Sequence, residues 1–209
     1  MKIVSIILAR SGSKQIPNKN LVKINNKPLI FYSINASLKS KVNETWVSSN
    51  SDKILSVAKK LGAKTILRPQ KYATDSASSE SALLHFAKNV FFDILVFIQP
   101  TSPLIIPSDI NKGITLIKKK FDSVISVSEL NQFVWKNDQP NYDINKRKRR
   151  QKESTTYIET GSFFITKRKN LLINKNRISG KIGFVEVPKI RSFDIDTYQD
   201  LSIVKKILK

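Results

Sequence analysis

The chain alternates short runs of apolar and β-branched residues with longer amphipathic segments. The runs predict strands at residues 3–8, 45–49, 64–67, 94–98, 123–127, 162–166 and 182–187. The amphipathic segments predict helices at residues 29–38, 51–61, 78–89, 108–120 and 197–208. The fourth run is apolar at every position and the first nearly so, as in parallel strands buried on both faces. This alternation predicts an α/β fold in which helices flank a mixed sheet.

The pattern stops between residues 129 and 156, where the composition becomes polar and basic. No internal repeat and no linker rich in proline or glycine divides the chain. The 209 residues therefore predict a single domain spanning residues 1–209, with residues 129–156 forming an arm that projects from the sheet. Thr197 and Asp200 have the spacing of a capping box, which favours a helix start there.

Composition excludes several classes of protein. With 40% hydrophobic and 9% aromatic residues, the chain has the apolar material for a core that a disordered basic tail lacks. The absence of cysteine excludes disulfide frameworks, cysteine nucleophiles and thiolate metal sites. The single histidine, His85, stands beside Leu83, Leu84 and Phe86 in a predicted helix, which favours a structural role.

No segment of the sequence predicts insertion into a membrane. The best hydrophobic stretch, residues 90–98, is interrupted by Asp93 and is far shorter than the ~20 residues of a spanning helix. The apolar start of the chain is cut short by Arg10, and Lys2 is the only charge before it, so a secretory signal is not expected. We therefore expect a cytoplasmic protein with no membrane partner.

The formal net charge is +21, from 37 basic and 16 acidic residues. The lysines are spread along the chain together with much Asn and Ile, a composition that an AT-rich genome also produces. The other interpretation is a polyanionic partner, either nucleic acid or a phosphate-bearing substrate. The total charge does not separate these interpretations, so the local placement of charge has to decide.

The polar loop after the first predicted strand is the first candidate site. Residues 9–20 combine Arg10, Lys14 and Lys19 with small residues such as Gly12, which let backbone N–H groups approach an anion. The loop has neither the Walker A pattern nor the glycine fingerprint of dinucleotide-binding folds. It predicts a triphosphate site, the alternative being an ordinary surface loop.

Other polar residues also follow predicted strands, where open α/β sheets bind ligands. Residues 67–69, 74–79 and 99–103 form such loops. Near the other end of the chain, Asp194 and Asp196 place two carboxylates one residue apart, which suits Mg²⁺ bound together with phosphates. The alternative for this pair is the preference of acidic residues for the start of a helix.

Taken together and in this order, these segments resemble the acylneuraminate cytidylyltransferases, also called CMP-sialic acid synthetases. The matching segments are residues 8–14, 16–20, 67–69, 75–79, 99–104 and 194–197. The resemblance covers nearly the whole chain. It does not identify the sugar, because relatives activate neuraminic, legionaminic, pseudaminic and related nonulosonic acids with the same motifs.

The resemblance implies a role for each matching residue. Catalytic roles fall on Arg10, Lys14, Lys19, Asp194 and Asp196. Nucleotide binding falls on Arg10, Ser11, Gly12, Ser13, Lys14, Lys19, Asn20, Arg68, Ser78 and Ser79. Contacts with the sugar fall on Gln99, Thr101, Ser102, Arg150, Gln151 and Phe164. Asp194 and Asp196 would bind the Mg²⁺ cofactor. The sequence departs from the family at Gln15, where relatives usually carry Gly, and at Ile158, where they often carry Arg.

The implied fold is a Rossmann-like nucleotide-diphospho-sugar transferase sheet, with residues 129–156 serving as a dimerisation arm. The implied reaction is attack of the sugar's anomeric hydroxyl on the α-phosphorus of CTP, which releases pyrophosphate. The expected partners are CTP, an acidic nine-carbon sugar and a second copy of the chain, with no nucleic acid.

Two other functions remain as alternatives. The basic run at residues 146–150 is of the kind that binds nucleic acid, although no recognition module accompanies it. Asp194 and Asp196 also have the D-x-D spacing of metal-dependent glycosyltransferases, but in that class the motif follows a strand in the middle of the chain.

Overall fold

The computed structural model describes residues 1–130, 132–146 and 155–208. The strands are β1 (Ile3–Leu8), β2 (Lys23–Ile24), β3 (Lys27–Pro28), β4 (Glu44–Ser49), β5 (Lys64–Leu67), β6 (Ile94–Ile98), β7 (Ser123–Glu129), β8 (Trp135–Lys136), β9 (Gln139–Pro140), β10 (Tyr157–Lys167) and β11 (Ile182–Glu186). The helices are α1 (Leu29–Leu38), α2 (Asp52–Lys60), α3 (Ser79–Asn89), α4 (Pro107–Lys119), α5 (Arg168–Asn174) and α6 (Tyr198–Ile207).

Seven strands form one mixed sheet in the order β11-β7-β10-β6-β1-β4-β5. Strand β10 runs antiparallel to β6 and β7, and the other neighbouring pairs are parallel. The six parallel strands therefore all end at one edge of the sheet, the carboxyl edge, and all begin at the opposite amino edge. The predicted α/β fold with helices flanking a mixed sheet is confirmed.

Side chains of the central strands alternate between two buried layers, as the two-residue period of a strand requires. On one face, Ile3 and Ile7 of β1 belong to a cluster with residues of α1, α2 and α4. On the other face, Val4 and Ile6 belong to a cluster with residues of α3 and α5. Because both faces are covered, only the loops at the two edges are free to hold polar sites.

A third apolar cluster lies beside the sheet and joins distant parts of the chain. It brings Ile16 and Ile24, which follow β1, against Ile195, Leu201 and Val204 near the end of the chain. This end cluster fixes the segment before α6 against the loop after β1. The predicted capping box of Thr197 and Asp200 is confirmed at the start of α6.

Strand β10 is longer than the predicted strand at residues 162–166, and its register with β7 shifts between Glu159 and Phe164. Gly161 lies in this shift with a φ of 70°, a conformation that glycine adopts without strain. Helix α5 and the short hairpins β2–β3 and β8–β9 were not predicted. The polar composition of α5 and the brevity of the hairpins left no periodic signal.

Glu129, the first residue of the predicted arm, is the last residue of β7, and the described residues between it and residue 156 lie outside the main sheet and contain the β8–β9 hairpin. The arm's role in dimerisation and the single-domain organisation stay predictions. Across the residues that the structure describes, no helix has the length and apolar character needed to cross a membrane.

Glu44 at the start of β4 organises polar groups at the amino edge. Its carboxylate accepts a hydrogen bond from Trp46 Nε1 at 2.8 Å and pairs with Lys64 at 3.0 Å and Lys2 at 3.1 Å. These contacts, led by the Trp46 hydrogen bond, lower the pKa of Glu44 from 4.5 to about 2. The carboxylate therefore stabilises the fold as an anion.

We expect the Glu44→Gln variant to lose on the order of 1 kcal/mol of unfolding free energy at neutral pH, since solvent weakens the ion pairs. A lowered folded-state pKa gives stability that is present above the ordinary pKa of 4.5 and is lost as pH falls towards about 2. The difference between variant and wild type in urea unfolding should therefore vanish at that acidic limit. A difference that is constant with pH would contradict the ion-pair explanation.

Candidate active site

The loop after β1 leaves the carboxyl edge and is tied to the end of β4. Asn50 accepts a hydrogen bond from the Ser11 backbone N–H at 2.9 Å and donates to Ser11 Oγ at 2.9 Å. Asn20 donates to the Arg10 carbonyl, also at 2.9 Å. Gly12 has a φ of 82°, which allows the chain to turn between these anchors. Asn50 was not predicted as a site residue, because its role depends on the pairing of β1 with β4.

Two of the predicted phosphate-binding cations meet at one carboxylate. Arg10 pairs with Asp75 at 2.7 Å, and Lys14 pairs with the other oxygen of Asp75 at 2.9 Å. Hydrogen bonds from Lys14 and then Arg10 lower the pKa of Asp75. All three side chains are accessible to solvent, so an incoming polyphosphate can replace the Asp75 carboxylate between the two cations.

Lys19 connects the first loop to the segment before α6. Its side chain is only 11% exposed, and its Nζ lies 2.8 Å from Asp196 Oδ1 and 2.8 Å from the Ile195 carbonyl oxygen. The structure thus brings together a cation and a carboxylate separated by 177 residues. The two candidate sites at opposite ends of the sequence form one site.

Asp194, in the segment before α6, contacts the loop that follows β6. It accepts a hydrogen bond from Ser102 Oγ at 3.2 Å, and the neighbouring Ile195 N–H donates to the Thr101 carbonyl at 2.8 Å. Desolvation by the surrounding protein raises the pKa of Asp194, and the charge of Asp196 adds to the rise against the hydrogen bonds from Thr101 and Ser102. The charge of Asp196 therefore disfavours the ionised form of Asp194.

A divalent cation would relieve this repulsion, so the two carboxylates fit Mg²⁺. Within the described ranges, no group of three or more His, Cys, Asp or Glu side chains is placed to hold a metal ion. A Mg²⁺ ion here would be held by Asp194 and Asp196, and substrate phosphates and water would supply its other oxygen ligands.

Arg68 and Asn20 are buried polar residues with incomplete hydrogen bonding. Arg68 is 5% exposed and donates to the carbonyls of Ser48 at 3.3 Å and Tyr72 at 3.4 Å. Arg68 Nε and Asn20 Oδ1 have no partner among the described residues. Burial, aided by the charge of Arg10, lowers the pKa of Arg68 to about 10. Unsatisfied buried groups are costly, and a ligand that pairs with them removes that cost.

An open cleft adjoins Arg68 at the carboxyl edge. Its volume is about 290 Å³. It is lined by Asn50, Leu67, Arg68, Pro69 and Gln70. The cleft is the natural place for a base attached to a phosphate chain that lies between Arg10 and Lys14.

Several predicted residues shape the site mainly through the backbone. Ser78 caps α3 by accepting from the Ser81 N–H at 3.2 Å, and Ser79 is the first residue of that helix. The Gln99 N–H donates to Ser162 O at 3.0 Å, which fixes the end of β6 against β10. Ser13 is half-buried in the first loop.

The structure does not bring Phe164 to the site surface. Its ring is 2% exposed and stacks on Phe97 at 5.8 Å between centroids, with the Arg177 guanidinium 4.4 Å from its centre. Phe164 is thus a core residue, because its position in β10 points it into the layer covered by α3 and α5. The predicted sugar-binding residues Arg150 and Gln151 lie outside the described residues.

A buried ion pair near the site was not predicted from the sequence. Asp109, in the first turn of α4, is 1% exposed, and both of its carboxylate oxygens accept hydrogen bonds from the Arg191 guanidinium. Arg191 lies three residues before Asp194. The pair holds the segment that carries the two carboxylates against α4.

Comparisons with known proteins identify the family of the chain. The cytidylyltransferase family model matches residues 4–208. N-acylneuraminate cytidylyltransferase B of Danio rerio is 35% identical over 97% of this chain and 50% of that protein. CMP-N,N'-diacetyllegionaminic acid synthase of Legionella pneumophila is 31% identical over 100% of this chain and 97% of that protein.

A solved structure of a CMP:2-keto-3-deoxy-manno-octonic acid synthetase complexed with CTP has the same fold. It superposes with a TM-score of 0.80 at 19% identity, over 100% of this chain and 98% of that chain. The chain spans about half the length of the N-acylneuraminate cytidylyltransferases that it matches. The resemblance found in the sequence is confirmed, and the chain belongs to the cytidylyltransferase family.

Proposed function

We propose that the chain transfers a cytidylyl group from CTP to the anomeric hydroxyl of a sialic-type nonulosonic acid. The observation that carries this proposal is the contact of Lys19 with Asp196, which joins the cationic loop to the carboxylate pair. The relatives described above are an N-acylneuraminate cytidylyltransferase and a CMP-N,N'-diacetyllegionaminic acid synthase, and their names support the substrate class. The proposal replaces the D-x-D glycosyltransferase alternative, since β6 is followed by Gln99, Pro100 and Thr101 and not by an acidic pair.

In this reaction the sugar oxygen forms a bond to the α-phosphorus of CTP, and the bond between the α- and β-phosphates breaks to release pyrophosphate. Arg10 and Lys14 are placed to neutralise the phosphate chain and orient it. Lys19 holds Asp196 beside the phosphates of CTP. Bound Mg²⁺ at Asp194 and Asp196 would supply further charge neutralisation at the phosphates. The hydroxyl proton passes to solvent or to Asp196.

His85 is not part of this proposal. It lies on α3 with its ring 5.3 Å from that of Tyr72, and its Nδ1 is buried with no partner among the described residues. Burial and then the charges of Arg68, Lys88 and Lys71 lower its pKa. A neutral histidine packed in this way supports the structural role expected from the sequence.

We expect pyrophosphate release with CTP and not with ATP, GTP or UTP when a panel of nonulosonic acids is supplied. A wrong base would leave the buried polar atoms Arg68 Nε and Asn20 Oδ1 unpaired, and sites with buried polar groups of this kind discriminate strongly. The measurement is the initial rate of pyrophosphate release for each nucleotide and sugar. Comparable turnover with a purine triphosphate would contradict the proposal.

Two matched variants test the cleft itself. Arg68→Met removes a buried cation and should raise the KM for CTP at least ~10-fold, the loss of about 1.4 kcal/mol of binding. Lys71→Met removes an exposed cation from the adjacent turn and should leave KM nearly unchanged. Equal effects of the two changes on KM would indicate that Arg68 acts through the general positive charge of the surface and not as a residue that binds CTP.

The dimer expected from the family resemblance is also a proposal. Exposed apolar side chains lie where β10 leaves the arm and on the edge strand β11, with Tyr157, Ile158 and Phe184 at 40%, 51% and 51% exposure. The rings of Tyr157 and Phe184 lie 5.7 Å apart and form one patch, while Ile158 follows Tyr157 in β10 and faces the other side of the sheet. The patch supports an interface between two copies. A cytoplasmic location stays a prediction.

We expect light scattering at micromolar concentration to give about twice the chain mass of 23.8 kDa. Replacing Tyr157 and Phe184 with Asp should shift the mass to that of one chain, because charges are not tolerated in an apolar interface. A wild-type mass near 23.8 kDa would refute the dimer.

A further inference from the structure

The amino edge of the sheet, opposite the candidate active site, carries a concentration of positive charge. We call this surface the basic face and define it by Lys118, Lys119, Lys120, Lys167, Lys169 and Lys181. These residues lie at the end of α4, at the junction of β10 with α5 and just before β11. The acidic residues Asp93 and Asp122 lie among them, and Asp122 pairs with Lys167 at 2.9 Å.

A cleft of about 480 Å³ opens on the basic face. Its floor includes Phe92, Ile94 and Leu172, and Lys118, Lys119 and Lys169 are on its lining. Such a cleft combines an apolar interior with a cationic rim. It suits a molecule that has an anionic head and an apolar tail.

Fold stability does not account for all of these cations. Lys118 and Lys119 occupy the last turn of α4, where the helix dipole favours them. Lys169 instead stands in the first turn of α5, where the dipole disfavours cations and no acidic residue accompanies it, whereas Lys167 has its ion pair with Asp122. The proposed reaction does not use them either, since it takes place at the opposite edge of the sheet.

Exposed apolar side chains accompany the charge. Phe91, in the loop before β6, is 64% exposed, and Leu172 and Ile173 of α5 are 41% and 66% exposed. Lysines together with exposed aromatic and aliphatic side chains are typical of surfaces that bind the membrane interface. Nucleic-acid surfaces favour arginine forks that are free to bind phosphate, whereas the guanidinium of Arg168, which lines this cleft, donates to the carbonyls of Val90 and Ala87.

We propose that the basic face docks on a lipid surface that contains anionic headgroups, with the lysines on the headgroups and Phe91 in the interface. Peripheral docking of this kind needs no spanning segment. The carboxyl edge then faces away from the lipid, so that CTP and the sugar reach the site from solution. The inference does not depend on the proposed function.

The test is flotation of the full chain with vesicles of phosphatidylcholine alone or with about 30% phosphatidylglycerol. We expect binding to the anionic vesicles alone. Lys118→Glu with Lys119→Glu should reduce that binding at least ~10-fold, because each lysine near an anionic surface contributes to attraction. Phe91→Ser should also weaken binding. Pyrophosphate release by both variants should equal that of the wild type.

A matched control distinguishes binding through the basic face from attraction by the net charge of the whole chain. Lys205→Glu with Lys206→Glu makes the same charge change in the last turn of α6, beside the end cluster and away from the amino edge. This control should keep the vesicle binding. The proposal would be overturned if the two double variants lost binding equally or if the wild type did not bind anionic vesicles. It would also be overturned if the chain bound single-stranded RNA in place of vesicles.

Discussion

Replacing Asp194 or Asp196 with Asn is expected to lower kcat at least ~100-fold, about 2.7 kcal/mol of lost transition-state stabilisation, with almost no change in melting temperature. Asn has nearly the same shape but lacks the charge that a metal ligand supplies. In the structure both carboxylates lie beside Lys19 and the Thr101 loop, and the capping of α6 is done by Thr197 and Asp200. The expected loss is therefore catalytic and not structural.

The measurement is kcat as a function of Mg²⁺ concentration, beside thermal unfolding of each variant. Asp200→Asn is the matched control, because Asp200 accepts the capping hydrogen bond from the Thr197 N–H at 2.7 Å and should affect stability by about 1 kcal/mol or less. Its kcat should remain near that of the wild type. Near-normal kcat in both the Asp194 and Asp196 variants at low millimolar Mg²⁺ would contradict the proposal that these residues bind the metal.

Replacing Arg191 with Met should cost about 3–5 kcal/mol of unfolding free energy, because it leaves the carboxylate of Asp109 buried without its partner. Asp109 is 1% exposed, so water cannot replace the guanidinium without opening the structure. The double change Arg191→Met with Asp109→Leu should recover much of the loss, since an apolar pair leaves no buried charge.

Urea unfolding at neutral pH measures these differences. Lys189→Met, an exposed change in the same turn, is the control and should shift stability by less than about 0.5 kcal/mol. A loss in Arg191→Met no larger than in the control would show that the ion pair does not hold the segment. The same outcome would remove the explanation for how the carboxylate pair is kept against α4.

Much of the fold was predictable because the central strands have a strong local signal. The run at β6 is apolar at all five positions, and α2, α3 and α4 have clear periodicity and ends. The site loops were predictable for a related reason. Parallel strands end at one edge, so polar residues that follow them must lie close together.

Other features depend on contacts that the sequence does not reveal. Both faces of the sheet are covered by helices, so the local pattern of β10 could not show that Phe164 points into the core. The pairing of Asp109 with Arg191 spans 82 residues, and the sequence around each residue alone predicts only an ordinary surface charge. The basic face likewise arises only when the end of α4 and the start of α5 meet at the amino edge.

The contact between the first loop and the segment before α6 has a consequence for biosynthesis. A ribosome adding about 5–20 residues per second needs roughly 9 to 35 s to make the 177 residues that separate Lys19 from Asp196. During that time Ile16 and Ile24 can pack only on the part of the end cluster already made, such as Leu29 and Leu104, because Ile195, Leu201 and Val204 do not yet exist. The nascent chain therefore leaves this apolar surface partly uncovered and its site incomplete until α6 emerges, and this interval is when a chaperone would have most to protect.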